Sequence, residues 1–224
     1  MELYDVMTTT FSCREFTDDP IPDTTLYRIL ERARFAPSGG NRQGWKVIVV
    51  RDRNTREGLS RAAEPAAKRY AAQVQAGESP WNTIERTKVD GDTIARTAAP
   101  TRLTEPVLKA AVVLVVAVDL RVVASMDADL DRVGVISGAS VYPFAWNILL
   151  AARQEGFGGT ITTLAAAQEP AVQALLGLPP HVALAAVMPL GRPAKPITRL
   201  KRKPVEEFAT LEKWGGPPLS PTPA

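Results

Sequence analysis

Residues 132–163 read RVGVISGASVYPFAWNILLAARQEGFGGTITT, and the reading of this stretch decides the architecture of the chain. No charged residue falls between Arg132 and Arg153, and apolar residues occupy every side of a helical projection. A helix with no polar face is one buried all round, so the stretch predicts a central helix covered by the rest of the molecule. Ser137, Gly138, Ala139 and Ser140 keep one part of it slim enough for another backbone to approach closely. Pro143 removes a helical donor and is expected to bend the helix. Gly156 and Gly158 stop it, and Ile161 to Thr163 follow as a short β-prone piece. The run is also long enough to span a bilayer. Ser137, Ser140, Asn147 and Pro143 inside it, no aromatic belt and no one-sided positive flank favour a buried core or subunit-interface helix.

Composition sets the outer limits. A chain of 224 residues can bury one substantial core or at most two small ones. The net charge of +3 is too small to argue for nucleic acid, and no basic patch carries interleaved aromatics. Cys13 is the single cysteine and His181 the single histidine. One chain therefore holds neither a disulfide framework nor a thiolate or multi-histidine metal centre. The opening MELYDVMTTT carries acids and lacks an apolar secretory core, so a reduced cytoplasmic setting is expected.

Working outward, residues 2–9 predict a short helix with Leu3, Val6 and Met7 inward. A loop follows, with Pro20 and Pro22 preventing helix. Asp23 is placed to cap a helix through Phe35, and residues 36–41 break it with turn formers. Trp45 to Val50 reads as a strand, and residues 55–78 as an Ala-rich helix. From Gly77 to Pro106 the pattern turns irregular, as in a mobile segment or a functional lid. Ala110 to Asp119 is apolar on both faces and therefore central in its sheet. Ala165 to Leu176 predicts a helix and Val182 to Leu190 a buried strand. Beyond Gly191 the chain is basic and Pro-rich, and residues 215–224 are expected to be disordered. A three-layer α+β or α/β arrangement follows, as one domain over residues 1–214 with an insert at about 60–106.

Most catalytic constellations fail by absence. A Ser–His–acid triad has only His181, a lone histidine entering a strand, and no nucleophile motif surrounds Cys13. Gly156 to Gly159 has neither the Lys-Ser/Thr of a phosphate loop nor a following helix. Three polar loops remain, at 12–14, 37–43 and 200–204. Arg14 and Arg202 offer forked donors suited to a phosphate, and Ser12 adds a hydroxyl. Gly39 and Gly40 let a flat ligand approach the backbone, while Asn41 offers both donor and acceptor. Singly each is a solvated turn; together they ask for a ligand with a phosphate at one end and a polar-edged ring at the other.

In order along the chain, SCREF, then ILERARFAPSGGNRQGW, then GASVYPFAWNILLAA with GFG, then LKRKPVEE resemble the nitroreductase family of FMN-dependent oxidoreductases. The resemblance covers about residues 8–208 apart from the 60–106 region. It implies an α+β three-layer sandwich with a mostly antiparallel sheet, and a homodimer holding two FMN at its interface. It also implies ping-pong hydride transfer from NADPH or NADH through the flavin to a small aromatic acceptor, without metal. By position, Ser12 and Arg14 match the N-terminal FMN-binding segment, with Arg14 near the N1/O2 edge. Pro37, Ser38, Gly39 and Asn41 match the loop given by the other subunit. Ile161, Thr162, Thr163 and Leu164 match the segment whose backbone amide reaches flavin N5. Arg202, with Lys201, matches the phosphate contact. Two departures stand out: Thr10 where the family commonly has Arg, and Gly44 where it usually has Pro.

The resemblance implies a nitroaromatic or quinone reductase first, with Tyr70 and Trp81 either stacking on substrate or anchoring the lid. Reductive dehalogenation or flavin fragmentation on the same fold, and flavin binding without turnover, are the alternatives. LKRKP and GGTITT look like the deiodinase end of the family, yet that group's substrate-gripping Glu, Tyr and Lys are not found in the insert.

Overall fold

β-branched residues pack well on a pleated surface and resist helix, and the valine-rich runs of this chain become the middle of its sheet. The computed structural model describes residues 1–221. Its strands are β1 (Trp45–Val50), β2 (Val112–Asp119), β3 (Gly158–Gly159) and β4 (Val182–Gly191), in spatial order β1-β2-β4-β3 with every pair antiparallel. The helices are α1 (Leu3–Thr9), α2 (Asp23–Ala33), α3 (Arg53–Gln75), α4 (Gly91–Arg96), α5 (Thr101–Thr104), α6 (Pro106–Lys109), α7 (Tyr142–Gln154) and α8 (Glu169–Leu176).

Alternate strand residues face opposite ways, and here both faces are covered. Val112, Leu114, Val116 and Val118 pack with Ile29 of α2 and Phe144 and Ile148 of α7. Val113 and Val115 pack with Leu59 of α3, Val107 of α6 and Val172 of α8. The result is the expected three-layer α+β sandwich with β2 inside the sheet. Between Val116 and Ala117 the register against β4 shifts, so Ala185 is the extra residue of a bulge. Its carbonyl accepts the Tyr142 hydroxyl at 3.2 Å, which ties α7 to the sheet. The Trp45 and Phe144 rings stack with centroids 4.7 Å apart, joining β1 to the same helix.

α3 lies close to the sheet because the residues it turns inward, Ala62, Ala63, Ala66 and Ala67, are small and buried. Asp52 caps it, accepting the Thr55 amide at 2.7 Å. Near that end the buried Arg56 donates to the carbonyls of Ala110 (2.6 Å) and Ala111 (3.1 Å), pinning the helix to the entry of β2. Burial pushes its pKa down, and the carbonyls stand in for lost water.

Several expectations need correction. The charge-free stretch is not one long buried helix: α7 begins only at Tyr142, after a 3-10 turn over Ile136–Ser140. The cause lies outside the stretch. Asp127, 4% exposed, accepts the Val135 amide and Arg132 Nη1, both at 2.8 Å, and holds residues 127–135 in a loop. Those bonds, the Val135 amide first, keep its carboxyl well below the usual carboxylate range. Pro143 starts α7 rather than bending it, and Tyr142 and Trp146 stand partly exposed. In α1 only Val6 is buried; Leu3 and Met7 face outward. Pro22, not Asp23, precedes α2, and Asp23 instead pairs with Arg51 at 2.7 Å. The short strand after α7 is Gly158–Gly159, not Ile161 to Thr163. Leu164–Gln168 is a 3-10 turn before α8. Of the tail expected to be disordered, residues 215–221 fold back, with the Leu211 amide on the Pro217 carbonyl and the Leu219 amide on that of Ala209; residues 222–224 lie outside those described.

The insert is not structureless either. Beyond α3 it is knotted around Glu78, whose carboxylate accepts the Thr87 hydroxyl (2.6 Å), the Lys88 amide (2.7 Å) and the side-chain amide of buried Gln73 (3.1 Å). Arg69 covers the Trp81 ring at 4.1 Å, which ties the segment after α3 back to that helix. The Thr87 hydroxyl, then the Lys88 amide, hold the Glu78 carboxyl below its usual range. A depressed folded pKa contributes stability that is complete above the unfolded value and is lost as pH falls through the folded one. Residues 78–90 are therefore expected to exchange amide hydrogens faster, after correction for intrinsic rates, once pH drops below about 4.3. Glu78→Gln should loosen the same residues already at neutral pH. Exchange over residues 78–90 that is independent of pH in wild type, and unaltered in the variant, would refute the role given to Glu78.

Candidate functional site

Two glycines create the junction on which the site is built. Gly159 faces Leu190, and a Cβ there would meet the Pro189 carbonyl oxygen at 2.5 Å as well as the Leu190 side chain. At Gly158 a Cβ would lie 3.1 Å from Pro193 and 3.2 Å from the Cys13 Cβ. Without these side chains the N-terminal segment docks on the sheet edge: the Cys13 amide donates to the Gly159 carbonyl at 2.9 Å, and Ser12 bridges Gly159 in parallel. Arg14 is thereby delivered beside the turn that leaves β3.

That turn, residues 160–164, and Arg14 share a cleft of about 200 Å³ with Tyr70 of α3, Arg102 and Leu103 of α5, and Val107 of α6. Among the described residues the cleft is lined by two guanidinium groups and no carboxylate. Thr160 is 2% exposed, and its hydroxyl has no partner among the described residues. The Thr162 amide and carbonyl are both occupied by Val187, at 3.0 and 2.8 Å, whereas the amides of Ile161 and Thr163 find no backbone acceptor among the described residues. Arg14 also borders a second hollow of about 350 Å³, shared with Phe11, Ser12, Cys13, Glu15, Lys195 and Ile197. Its one hydrogen bond within the described chain goes to the Ser12 carbonyl at 3.3 Å.

The other sequence-derived residues are placed differently. Pro37, Ser38, Gly39 and Asn41 line neither hollow of their own chain, and all but the half-buried Ser38 are exposed. Their loop is nonetheless ordered: the Gly39 amide donates to Ser140 Oγ at 3.1 Å, the Gln43 amide to Ser38 Oγ at 2.9 Å, and Gln43 Nε2 to Asn41 Oδ1 at 3.0 Å. Gly40 and Asn41 take left-handed φ of 60° and 52°, a region Gly and Asn enter most readily. Arg202 is exposed, donates to the Lys201 carbonyl at 2.7 Å and lines neither hollow; Lys195 is the C-terminal cation beside Arg14. Thr10 is buried with its hydroxyl on the Val6 carbonyl at 2.6 Å, closing α1. Gly44 is held by its neighbours, since a Cβ would meet Val122 at 2.6 Å.

Thr160, Arg102 and Lys195 were not singled out from sequence. Thr160 had a faint signal, a hydroxyl directly before the matched segment; the other two are isolated cations in irregular sequence, with none. Cys13 and His181 cannot act together. Cys13 packs beside Gly158, opposite Gly191, while His181 precedes the other end of β4, roughly 30 Å away along a strand of this length. Burial pushes the Cys13 thiol pKa up, so it stays protonated.

The chain matches the Nitroreductase family model over residues 7–192. It is 30% identical to the NADH dehydrogenase of Thermus thermophilus over 201 residues, 87% of this chain and 88% of that protein. Its fold is similar to nitroreductase A from Vibrio parahaemolyticus, with a TM-score of 0.69 at 22% identity over 96% of this chain and 78% of the other. It is also similar to an oxidised iodotyrosine deiodinase solved with FMN and 3-iodo-L-tyrosine, with a TM-score of 0.67 at 20% identity over 95% and 100% of the two chains. A family match from Met7 to Arg192, carried on a three-layer sandwich with Arg14 and residues 160–164 in one cleft, makes this protein a member of the nitroreductase family.

Proposed function

We infer that the protein is an FMN-dependent oxidoreductase, taking reducing equivalents from NADH or NADPH and delivering them to an electron-poor acceptor such as a nitroaromatic or quinone. The observation that carries this reading is one cleft in which Arg14, the unoccupied amides of Ile161 and Thr163 and the unpartnered Thr160 hydroxyl meet without any carboxylate. Such a donor set suits a flat, polar-edged ring that becomes more negative on reduction. Arg14 would hold the N1/O2 edge, and Ile161 or Thr163 would donate to N5, since the Thr162 amide is occupied. Ser12 and Lys195 share the second hollow with Arg14 and would offer donors to the phosphate there, with Glu15 on the same wall setting a limit on its approach; Arg202 lines neither hollow of its own chain. FMN, when bound, supplies the hydride chemistry; the protein orients the ring, polarises its edge and excludes water.

Pro37, Ser38, Gly39 and Asn41 would reach the ring from a second copy of the chain, because in their own chain they line neither hollow beside Arg14. A homodimer is supported by exposed apolar side chains on α1 and α7, Leu3, Tyr4, Met7 and Trp146. It is also supported by an apolar hollow of about 430 Å³ where Val6, Ile29 and Leu150 meet. No helix among the described residues is long and apolar enough to cross a membrane. A cytoplasmic setting agrees with the single unpaired thiol of Cys13.

The purified protein is expected to be yellow, to scatter light as twice the 24.2 kDa chain, to bleach with NADH or NADPH without air, and to recover colour on adding a nitroaromatic or quinone. A coloured protein that neither nucleotide bleaches would be a flavin carrier without turnover. Deiodination of a halotyrosine is the second reading, favoured by the similarity to iodotyrosine deiodinase. It ranks lower because the cleft offers no carboxylate for an amino-acid ammonium.

A further inference from the structure

We propose that Arg102 is a specificity-determining residue that selects acceptors bearing an anionic group, an aromatic carboxylate being the simplest, with Tyr70 beside it to receive the ring. The proposal rests on the flavin reading above and names the substrate class of the same cleft. Arg14 has a role in that reading; Arg102 has none. Arg102 forms part of the cleft wall, yet makes no ion pair or hydrogen bond among the described residues. The acid nearest in sequence, Glu105, is paired with Lys109 instead. The Tyr70 hydroxyl likewise has no partner there, although its side chain lines the same space. Leu103, Val107 and Pro189 bring apolar surface around these two polar ends.

A guanidinium presents parallel N–H groups that match the two oxygens of a carboxylate, and Arg14 in the same cleft adds to the positive field that such an anion meets. A neutral quinone would accept at most a hydrogen bond from Arg102 and would form no ion pair with it. A zwitterionic amino acid would place its ammonium in a cleft already carrying two cations, with no acid to receive it. A singly anionic aromatic acceptor is the class that satisfies both the unpaired cation and the aromatic ring at its side.

The test uses 4-nitrobenzoate and its methyl ester, which share ring and nitro group but differ in charge. Binding to the oxidised protein as purified is measured by titration calorimetry, and kcat/KM with both compounds is measured in parallel. Wild type is expected to bind the acid roughly tenfold tighter than the ester, an advantage that shrinks with salt. In Arg102→Gln the acid-to-ester ratio should fall to near one in both measurements, and Arg102→Lys should recover part of it. Arg102 is exposed, so both variants are expected to fold as wild type does, and circular dichroism recorded first checks this. A wild-type ratio near one, or a ratio that survives Arg102→Gln, overturns the proposal. So does a variant isolated without flavin, which would assign the arginine to the cofactor, or one whose KM rises for NADH or NADPH while the ratio holds. Failure of wild type to bleach sinks the flavin reading separately, because the calorimetric comparison needs no turnover.

Discussion

Gly159→Ala is expected to destabilise the protein by about 3 kcal/mol and to leave it largely free of flavin. The added methyl would sit against the Pro189 carbonyl oxygen at 2.5 Å and against Leu190, both of β4, which is buried along most of its length. Backbone cannot move aside as the end of a flexible side chain can, so β3 must separate from β4. The Gly159 carbonyl also receives the Cys13 amide, so the same separation releases the segment that carries Arg14. Stability and ligand binding should therefore fall together. Gly91→Ala is the contrast, because nothing lies within 4 Å of a Cβ there and alanine favours the first turn of α4. Urea unfolding and flavin per chain, measured on both variants, decide the matter. Equal unfolding midpoints for Gly159→Ala and wild type would mean that the junction yields more easily than its packing implies.

What could be read from sequence divides along physical lines. β2 and β4 were legible because an unbroken apolar run beside turn formers has few other uses, and both strands are covered on two faces. The boundaries of α7 were not, because lack of charge permits a buried helix without requiring one. The decisive group, Asp127, lies upstream and acts on the stretch through the Val135 amide and Arg132. Turn formers marked residues 37–43 as a polar loop, but its fixed point is Ser140, 101 positions from Gly39. LKRKP draws the eye by density of charge, yet proximity to Arg14 within the chain is set by where the chain packs after β4, and Lys195 lies there. Arg102 is a single cation in TRLTEP; only the folding of α5 and α6 across α3 gives it a cleft to line. Local pattern reports what a residue prefers, and sites depend on which distant residue it meets.

Arg14→Ala is the second large effect, and its character should be the reverse of the glycine substitution. Arg14 is half-buried, and its side chain holds the fold by one long bond, to the Ser12 carbonyl at 3.3 Å. Its loss should therefore leave the unfolding midpoint of the flavin-free protein within about 0.5 kcal/mol of wild type. A hydrogen bond to a charged group contributes about 1.5–3 kcal/mol, so FMN affinity should weaken roughly tenfold to a hundredfold. The remaining flavin should also bleach more slowly, because a ring gaining negative charge loses the cation at its edge. Arg14→Lys should restore part of the rate by its charge but less of the affinity, since an ammonium cannot reproduce the forked donor pair. FMN titration by fluorescence quenching and stopped-flow bleaching without air give the two quantities separately. Flavin content and bleaching rate both equal to wild type in Arg14→Ala would remove Arg14 from the site, and the electropositive cleft would then rest on Arg102 alone.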